Sequence, residues 1–534
     1  MLFTVRRNPA SVWLIWLIAL WAAGCDRGAT KRNEGEPASP ASQAAAKDGG
    51  ATTPKETVNT TSSRENPKDQ ETWDVFYLGD ARIGYAVTRR GPARGAGLIQ
   101  IESSIQMKIL RYGEKTETSI TYSTIETPDG DLRQATGAAE LGGVTMKFQG
   151  EVENGALQTT TTAGGNTARG AIPWTADCRG FFAIEESLRR RPMQPGERRK
   201  LRMLMPVFNQ MADVELVAAD LEDTQLLAGA QKLLRIESTT TLPDQQKNVD
   251  TIWTDLQGRM LKSLNAAMNQ TIFRTTRENA LQEQSGEMLD IGQLTLVKTP
   301  KPIENPHGKQ QLRYRVRLDS GDPKQAFVSD DSQQVTPIDA NTADIVVRAV
   351  RPDNPPPGKA TSGAPPGDDD RQPNSYIQSD DPRIVKLADA AAGDEKDPWR
   401  TALALERFVN EKITRKNFSQ TFATAADVAE TLSGDCTEHA VLLAALARAR
   451  GIPSRVAVGL VYVPGEQAFG FHMWTEVYID DRWIGLDGTL GQGGLGAGHL
   501  KLSTANLKEG TAMSSFLPVA QVLGRLKIEE VAEK

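Results

Sequence analysis

The hydrophobic residues of this chain change their spacing along its length, and this change constrains the fold more than any other feature. From Trp73 to about Ala280 they alternate with polar residues, which is the period of a β-strand with one buried face. From Tyr376 onward they recur every three or four residues, which is the period of an amphipathic helix. We therefore predict an α+β fold in which N-terminal antiparallel β domains precede a helix-containing C-terminal domain.

The β pattern predicts one large and one small unit. Residues 73–285 form the large β-rich domain, in which Asp129-Gly130 and Asn154-Gly155 are typical of tight hairpin turns. We find no catalytic constellation there and interpret the domain as a scaffold or binding module. Residues 286–351 form a small β domain, and the alternation of apolar residues with arginines over Leu312–Leu318 predicts one of its strands. These arginines either face solvent or recognise an anionic partner.

A composition shift separates the β units from the rest of the chain. Residues 352–375 are rich in Pro, Gly and Asp, which predicts a linker or a long exposed loop. Residues 376–534 then form the C-terminal domain.

The N-terminus has the pattern of an export signal. Arg6 and Arg7 precede the apolar run Val12–Ala23, whose helix would span only about 18 Å of a bilayer core of about 30 Å. Residues 1–24 are therefore predicted to be a signal peptide, and Ala22–Cys25 resembles a bacterial lipobox, which makes Cys25 the lipidation site. The alternative is an ordinary signal peptide in which Cys25 is incidental.

Residues 25–72 have the composition of a disordered tether. From Asp26 to Thr72 no aromatic residue, Ile, Leu or Met occurs, and Val58 is the only branched aliphatic residue, so the segment cannot bury enough apolar surface to fold. We expect an exported protein, lipid-anchored to a membrane of the cell envelope and facing the periplasm or the exterior.

Composition excludes several classes of partner and scaffold. The formal net charge of −6 argues against a general nucleic-acid binder, so we expect no nucleic-acid partner. The 3 cysteines are too few for a disulfide scaffold or a cysteine-rich zinc module.

Cys436 is the first candidate for chemistry. It opens an Ala/Leu-rich helix that Ser433 or Asp435 can cap and that Gly451 and Pro453 end. The aligned backbone amides of a first helical turn favour a thiolate and can bind an oxyanion. The position of this cysteine therefore indicates a nucleophile.

A predicted hairpin carries the second and third candidates. If Asp480-Asp481 is a two-residue turn, Trp474 pairs with Asp487, and Asp487 then lies diagonal to His472 on the same face. The backbones of His472 and Asp487 are then about 7–8 Å apart, a distance that their side chains can bridge. A turn of odd length would separate the two residues onto opposite faces.

The segments Gly434–Tyr462 and His472–Thr489 together resemble the bacterial transglutaminase-like family, which has a papain-like core. The resemblance covers about the last 160 residues and keeps the family's order of cysteine, histidine and aspartate. It implies that Cys436 is the nucleophile, His472 the general base and Asp487 the residue that orients the histidine. The usual Asp-Pro-Thr ending is here Asp487-Gly488-Thr489, which keeps the acid.

The resemblance implies a cysteine-dependent enzyme that acts on protein or peptide amides through a thioester, without a cofactor. Water as acceptor gives a peptidase or amidohydrolase, and an amine gives acyl transfer. Trp474 and Trp483 either line the acyl-binding cleft or pack the hairpin against its helix. The alternatives to an enzyme are a non-catalytic envelope scaffold with this fold, or an assembly factor whose β domains capture partners.

Other residues leave further alternatives. Cys436, His439 and His472 could ligate a metal, although we expect none, and His439 otherwise lines the site. Cys178 is either buried and unpaired or forms a disulfide with Cys436. Of the two remaining histidines, we expect His307 to be a turn residue, and for His499, in a Gly-rich stretch, we can name no partner from the sequence.

Overall fold

The structure is a computed structural model of the chain. It describes residues 70–531, with gaps at 96, 112, 142–143, 164–165, 206–209, 243–246, 267–268, 283–287, 291, 293–295, 320, 353–364, 415–422, 509–516 and 523. The predicted signal peptide 1–24, Cys25 and the tether up to residue 69 lie outside the described residues, whereas 70–72 already belong to the first strand.

Fifteen strands form one sheet in the N-terminal region: β1 Gln70–Leu78, β2 Ala81–Pro92, β3 Ile99–Arg111, β4 Glu114–Glu126, β5 Leu132–Leu141, β6 Val144–Glu153, β7 Ala156–Ala163, β8 Asn166–Pro173, β9 Cys178–Arg179, β10 Arg198–Met205, β11 Gln210–Leu226, β12 Gly229–Thr241, β13 Lys247–Thr254, β14 Met260–Asn265 and β15 Gln270–Thr275. Consecutive strands pair antiparallel from β1 to β8 and from β10 to β15, β9 pairs parallel with β10, and β1 pairs with β15. The prediction of a large antiparallel β region is confirmed.

The sheet is strongly curved. Its two edge strands, β8 and β9, follow each other in the chain with only residues 174–177 between them. Five Cα steps reach at most about 18 Å, whereas fifteen flat strands would be about 65 Å wide. After β9 the chain lies against the face of β4 and β6, where the Phe181 ring packs against Tyr122 and Phe148.

Two smaller sheets follow, built from β16 Val297–Lys298, β17 Gln311–Leu318, β18 Gln333–Pro337, β19 Thr342–Arg348, β20 Ser454–Val463, β21 Ala468–Ile479, β22 Arg482–Leu486, β23 His499–Ala505 and β24 Leu526–Glu530. The five-stranded sheet has the order β16-β21-β20-β23, with β22 paired to β21. The four-stranded sheet has the order β18-β19-β17-β24.

The described α-helices are α1 Ala183–Arg190, α2 Arg277–Leu281, α3 Pro323–Ala326, α4 Pro382–Ala392, α5 Pro398–Lys412, α6 Ala425–Thr431, α7 Cys436–Ala449 and α8 Leu517–Val522, and 3-10 turns occur at Asp368–Asp370 and Pro464–Glu466. Asp381, Asp397 and Thr424 cap α4, α5 and α6 by accepting backbone N–H bonds. Helix α7 is buried along most of its length and packs on β20 and β21.

The domain boundaries drawn from sequence do not separate the sheets. Strand β24, from the predicted domain 376–534, pairs with β17 of the predicted domain 286–351. Strand β16 of the small unit in turn pairs with β21 of the C-terminal unit. Alternation along a strand shows which face is buried but not which strand lies beside it, so this interlocking was not visible in the sequence.

The described end of the predicted linker packs against the C-terminal unit. The buried Arg448 of α7 donates to the carbonyl oxygens of Gln372 (2.6 Å) and Ser454 (2.8 Å). Asn374 donates to the carbonyl of Asn506 at 2.8 Å. Residues 365–375 are thus part of the folded body.

Among the described residues, no helix combines the length and the apolar character needed to cross a bilayer.

Ending the chain after Gly524 removes β24 and leaves the edge of β17 unpaired. Leu526 and Ile528 are buried, so we expect the free energy of unfolding to fall by about 3–5 kcal/mol. Hydrogen exchange should show faster exchange of the amides of residues 312–318. A chain ending after Val531 keeps β24 and is the control. Unchanged exchange at 312–318 in the shorter chain would contradict the role of this strand.

Candidate active site

Cys436 occupies the first turn of α7, and a capping box builds that turn. The Asp435 side chain accepts from the backbone N–H of Thr437 at 2.8 Å, and the Glu438 side chain accepts from the N–H of Asp435 at 2.9 Å. Of the two predicted caps, Asp435 is the one used. Gly434 lies at φ +150°, where an added Cβ would sit 2.4 Å from the Glu438 Cβ, so glycine is required before the cap.

The capping glutamate also anchors the preceding segment. The second carboxylate oxygen of Glu438 accepts from the backbone N–H of Ala423 at 2.9 Å. Burial and the neighbouring Asp435 carboxylate raise the pKa of Glu438 well above its usual value. The start of α7 is therefore held on two sides.

The hairpin has the predicted register. Ile479 pairs with Arg482 and Thr475 pairs with Leu486, so Asp480 and Asp481 form a two-residue turn. Both turn residues have positive φ, at 49° and 59°, as a type I′ turn requires. Asp487 therefore follows β22 directly, in register with the part of β21 that carries His472.

The hairpin is bonded to the helix that carries Cys436. The Thr475 hydroxyl of β21 donates to the Ala440 carbonyl of α7 at 2.9 Å. On β20, the Ser454 hydroxyl donates to the carbonyl of Ala444 at 2.8 Å. The first bond holds the strand with His472 against the helix with Cys436, and the second holds the neighbouring strand β20 against the same helix.

His472 and Asp487 form a buried hydrogen-bonded pair. Nε2 of His472 lies 2.7 Å from Oδ2 of Asp487, which leaves Nδ1 as the ring nitrogen for the Cys436 sulfur. Burial lowers the pKa of His472, but the charge of Asp487, the hydrogen bond to it and the interaction with Cys436 outweigh burial and raise this pKa to about 10. The site therefore favours an imidazolium.

Asp487 accepts bonds from four donors. Oδ2 also accepts from His499 Nε2 at 3.1 Å, and Oδ1 accepts from the backbone N–H groups of Thr489 (2.8 Å) and Leu490 (3.2 Å). Burial would raise the pKa of Asp487, but the charge of His472 and these bonds hold it well below its usual value. The carboxylate is thus buried as an anion.

A second buried carboxylate supports this loop from α5. Glu406 accepts from the backbone N–H of Asp487 at 2.9 Å and of Gly494 at 3.2 Å. Burial, together with the nearby Asp487 charge, raises the pKa of Glu406 to about 7, although the bonds from the backbone act in the opposite direction. Glu406 was not singled out in the sequence, because α5 reads as an ordinary amphipathic helix.

His499, for which no partner could be named from the sequence, has one in the structure. Besides its bond to Asp487, its ring centroid lies 5.7 Å from that of His472 and 5.1 Å from that of Trp474. His499 is on β23, which pairs with the far side of β20, so nothing in the sequence relates it to the hairpin.

A glycine lets side chains of β21 and β23 meet across the strand between them. At Gly459 of β20, an added Cβ would lie 2.9 Å from Trp474 Cη2 and 2.1 Å from the Leu500 carbonyl oxygen. The Trp474 ring is therefore free to contact both His472 and His499.

The alternative metal set considered from the sequence, Cys436, His439 and His472, differs from the set that the described residues bring together. Nδ1 of His439 faces the Asp435 carbonyl of its own helix. The described groups that come closest to a metal-binding set are His472, Asp487 and His499, whose ligand atoms lie within 4.8 Å of one another. His307, predicted as a turn residue, has Nε2 2.8 Å from the Tyr462 carbonyl oxygen, and its ring packs 5.6 Å from His499.

The two tryptophans have different surroundings. Trp474 stacks on His472, with ring centroids 6.2 Å apart. Trp483 lies toward the turn of the hairpin, with the Arg455 guanidinium 3.9 Å above its ring and Tyr478 at 5.3 Å. Trp474 therefore borders the candidate site, whereas Trp483 packs with Arg455 and Tyr478.

A buried ion network continues along the strands of the site. Lys501 of β23 contacts both Glu476 of β21 and Asp330 of the small β unit, and Arg455 donates to Glu476 at 2.9 Å. Burial would raise the pKa of Glu476, but the charges of Lys501 and Arg455 lower it to about 2. The network joins the four-stranded sheet to the sheet that carries His472.

Cys178 lies in the N-terminal sheet, where it contacts Thr175, and both it and Cys436 are buried thiols outside any disulfide. The structure therefore has no disulfide between them.

This part of the chain places a thiol at the start of a helix, and an imidazole and a carboxylate on the hairpin that packs against it. Residues 385–488 match the sequence profile of the Transglutaminase-like superfamily. The chain thus contains a transglutaminase-like domain, and Cys436, His472 and Asp487 all lie within the matched range. Members of this superfamily are usually cysteine-dependent enzymes.

Solved structures similar to this chain include a candidate cysteine protease from Cytophaga hutchinsonii, at 19% identity and a TM-score of 0.27, covering 41% of this chain and 83% of the other. A protein of a domain of unknown function from Brucella abortus is similar at 8% identity and a TM-score of 0.30, and the match covers 39% of this chain and 95% of the other. A protein described as a TGase is similar at 17% identity and a TM-score of 0.17, and the match covers 45% of this chain and 65% of the other. No curated protein sequence matches the chain.

Replacing Glu406 by Gln should change how stability depends on pH. The pKa of Glu406 is about 7 in the folded protein and about 4.5 in the unfolded chain. Between pH 4.5 and pH 7, Glu406 therefore takes up a proton when the chain folds. Glu406 therefore lowers the free energy of unfolding as pH rises from about 4.5 to about 7, by about 3 kcal/mol in total.

Glu406→Gln should lose this part of the slope. Urea unfolding of both proteins between pH 4 and pH 8 measures it, and Glu411→Gln, an exposed change on the same helix, is the control. Equal slopes for wild type and Glu406→Gln would show that Glu406 does not take up a proton on folding.

Proposed function

We propose that this protein is an exported, lipid-anchored thiol enzyme that acts on protein or peptide amides, with Cys436 as nucleophile, His472 as general base and Asp487 as the group that orients the histidine. The bond of 2.7 Å between His472 Nε2 and Asp487 Oδ2, beside a cysteine in the first turn of a capped helix, is the observation that carries the proposal. The transglutaminase-like match over 385–488 supports it.

The first half of the reaction is acylation. His472 holds the proton of the Cys436 thiol, and the thiolate sulfur attacks the amide carbonyl carbon. Aligned amides at the start of α7, including the Cys436 N–H, are suited to the resulting oxyanion. His472 then returns the proton to the leaving amine as the C–N bond breaks and a thioester forms. Asp487 keeps the imidazolium in place throughout.

The second half is attack on the thioester by an acceptor. His472 takes a proton from the acceptor, the new bond forms at the carbonyl carbon, and the Cys436 sulfur leaves. Water gives a carboxylic acid and makes the protein a peptidase or amidohydrolase. A primary amine gives a new amide and makes it an acyltransferase. Supplying a peptide amide with and without a primary amine, and identifying the product by mass spectrometry, distinguishes the two.

A non-catalytic scaffold is the second candidate function. Cys436 and His472 are both 0% exposed and Asp487 is 1% exposed, so in this conformation the three side chains are enclosed. An enzyme must open this site to a substrate, whereas a scaffold need not. The reactivity of the thiol therefore discriminates the two functions, because a scaffold needs no activated cysteine.

We expect Cys436 to react with iodoacetamide near its maximal rate already at pH 6, because the imidazolium of His472 stabilises the thiolate. In His472→Ala the thiol should titrate near pH 8.5, and its rate at pH 6 should fall about a hundredfold or more.

Mass spectrometry of the Cys436 peptide from the full chain measures this rate. Labelling of Cys178 in the same sample reports global unfolding. A wild-type rate that rises only near pH 8.5 would exclude an activated pair and favour the scaffold.

Membrane anchoring rests on Cys25, which follows an apolar run and precedes a segment with almost no apolar residues. In a bacterial host we expect metabolic labelling with an alkyne fatty acid to mark the wild-type chain and to be lost in Cys25→Ser. Cys178→Ser should remain labelled. Equal labelling of wild type and Cys25→Ser would contradict the anchor.

A further inference from the structure

We infer that His499 is a positioning residue that holds the Asp487 carboxylate for His472 by donating its Nε2–H to Oδ2. This inference rests on the proposed function, and it adds a second histidine to the proposed Cys436, His472 and Asp487 set. Four observations on His499 carry it.

The first observation is the shared oxygen. Oδ2 of Asp487 receives His472 Nε2 at 2.7 Å and His499 Nε2 at 3.1 Å, while Oδ1 receives two backbone N–H groups. His499 is thus the only side chain other than His472 with a described hydrogen bond to this carboxylate. Without it, the oxygen that orients His472 would have one donor fewer in a site that excludes water.

The second observation concerns the other nitrogen of the ring. Nδ1 of His499 is buried and has no hydrogen-bond partner among the described residues. In the tautomer that donates to Asp487, this nitrogen carries no proton, so a buried acceptor is left unsatisfied. All described hydrogen bonding of the His499 side chain therefore goes to the carboxylate.

The third observation is charge. The titratable groups facing His499 are Asp487, His472 and His307. Burial and the two neighbouring histidines lower the pKa of His499 to about 4, although the bond to Asp487 and its charge act to raise it. A neutral imidazole donates one N–H without competing as a cation for the Asp487 charge that stabilises the His472 imidazolium.

The fourth observation is packing. The Trp474 ring lies against both histidines, at 6.2 Å from His472 and 5.1 Å from His499, and Gly459 leaves the space for it. One aromatic ring thus fixes the orientation of both donors to Asp487. Such shared support is expected where the angle of a proton-transferring imidazole matters.

Two variants of similar shape isolate the N–H donor. His499→Gln places an amide N–H at about the reach of Nε2, whereas His499→Met has a similar length and no donor. His307→Gln changes the other histidine that packs against His499 and is the control. Each full chain is labelled with iodoacetamide from pH 5 to pH 9, the Cys436 peptide is quantified, and a thermal unfolding curve gives the folded fraction.

We expect the Cys436 rate at pH 6 to fall about tenfold in His499→Met, with the acidic limb of the pH profile shifted upward, since a hydrogen bond to a charged group is lost. His499→Gln should recover most of the rate, and His307→Gln should stay within about twofold of wild type. Equal profiles for the Met and Gln variants, corrected for folded fraction, would overturn the positioning role.

The wild-type chain provides an independent measurement. Nitrogen-15 shifts of labelled histidines should show His499 with Nε2 protonated and Nδ1 unprotonated throughout pH 5–8. A proton on Nδ1 instead would overturn the inference without any variant. A wild type that lacks enhanced reactivity at pH 6 would overturn the proposed function and this role together, whereas enhanced reactivity with identical Met and Gln variants overturns the role of His499 alone.

Discussion

The buried charge of Asp487 is the constraint on which the arrangement of the site depends. An unpaired carboxylate in an interior from which water is excluded would take up a proton, so the fold must surround it with donors. Two histidine side chains and two backbone amides do so, and the N–H of Asp487 itself is bound by Glu406. These bonds bring β21, β23, α5 and the loop after β22 to one point. Secondary-structure elements far apart in sequence are thereby fixed by a single anion.

The local parts of this site could be predicted because short-range rules determine them. A capping residue and a glycine place Cys436 at a helix start, and a two-residue turn sets the register that brings Asp487 to His472. The partners His499 and Glu406 could not be found in this way. They reach Asp487 from β23 and α5, and the order of strands in a sheet and the face of a helix that meets a given loop are set by long-range packing.

In the fold as well, local features could be predicted from the sequence, whereas long-range strand pairing could not. Alternating residues predicted the large β region, and fifteen strands are found there, mostly joined to their neighbours in sequence. The predicted domains 286–351 and 376–534 share both smaller sheets, because β24 and β16 each pair across the boundary between them. The ion network of Asp330, Lys501 and Glu476 shows the consequence: the four-stranded sheet is bonded to the strands that carry the candidate site.

The position of β24 in the four-stranded sheet has a consequence for the order of folding. The edge of β17 that it covers belongs to residues 314–318, about two hundred residues earlier in the chain. Synthesis delivers a chain from its N-terminus, so the edge of β17 stays unpaired until the segment after residue 525 has been made. Such a non-local pairing is slow to form, and an open edge attracts other strands. The sheet that supports the candidate site is thus completed after Cys436, His472 and Asp487 have all been made, and the edge of β17 stays open to pairing with other strands during that interval.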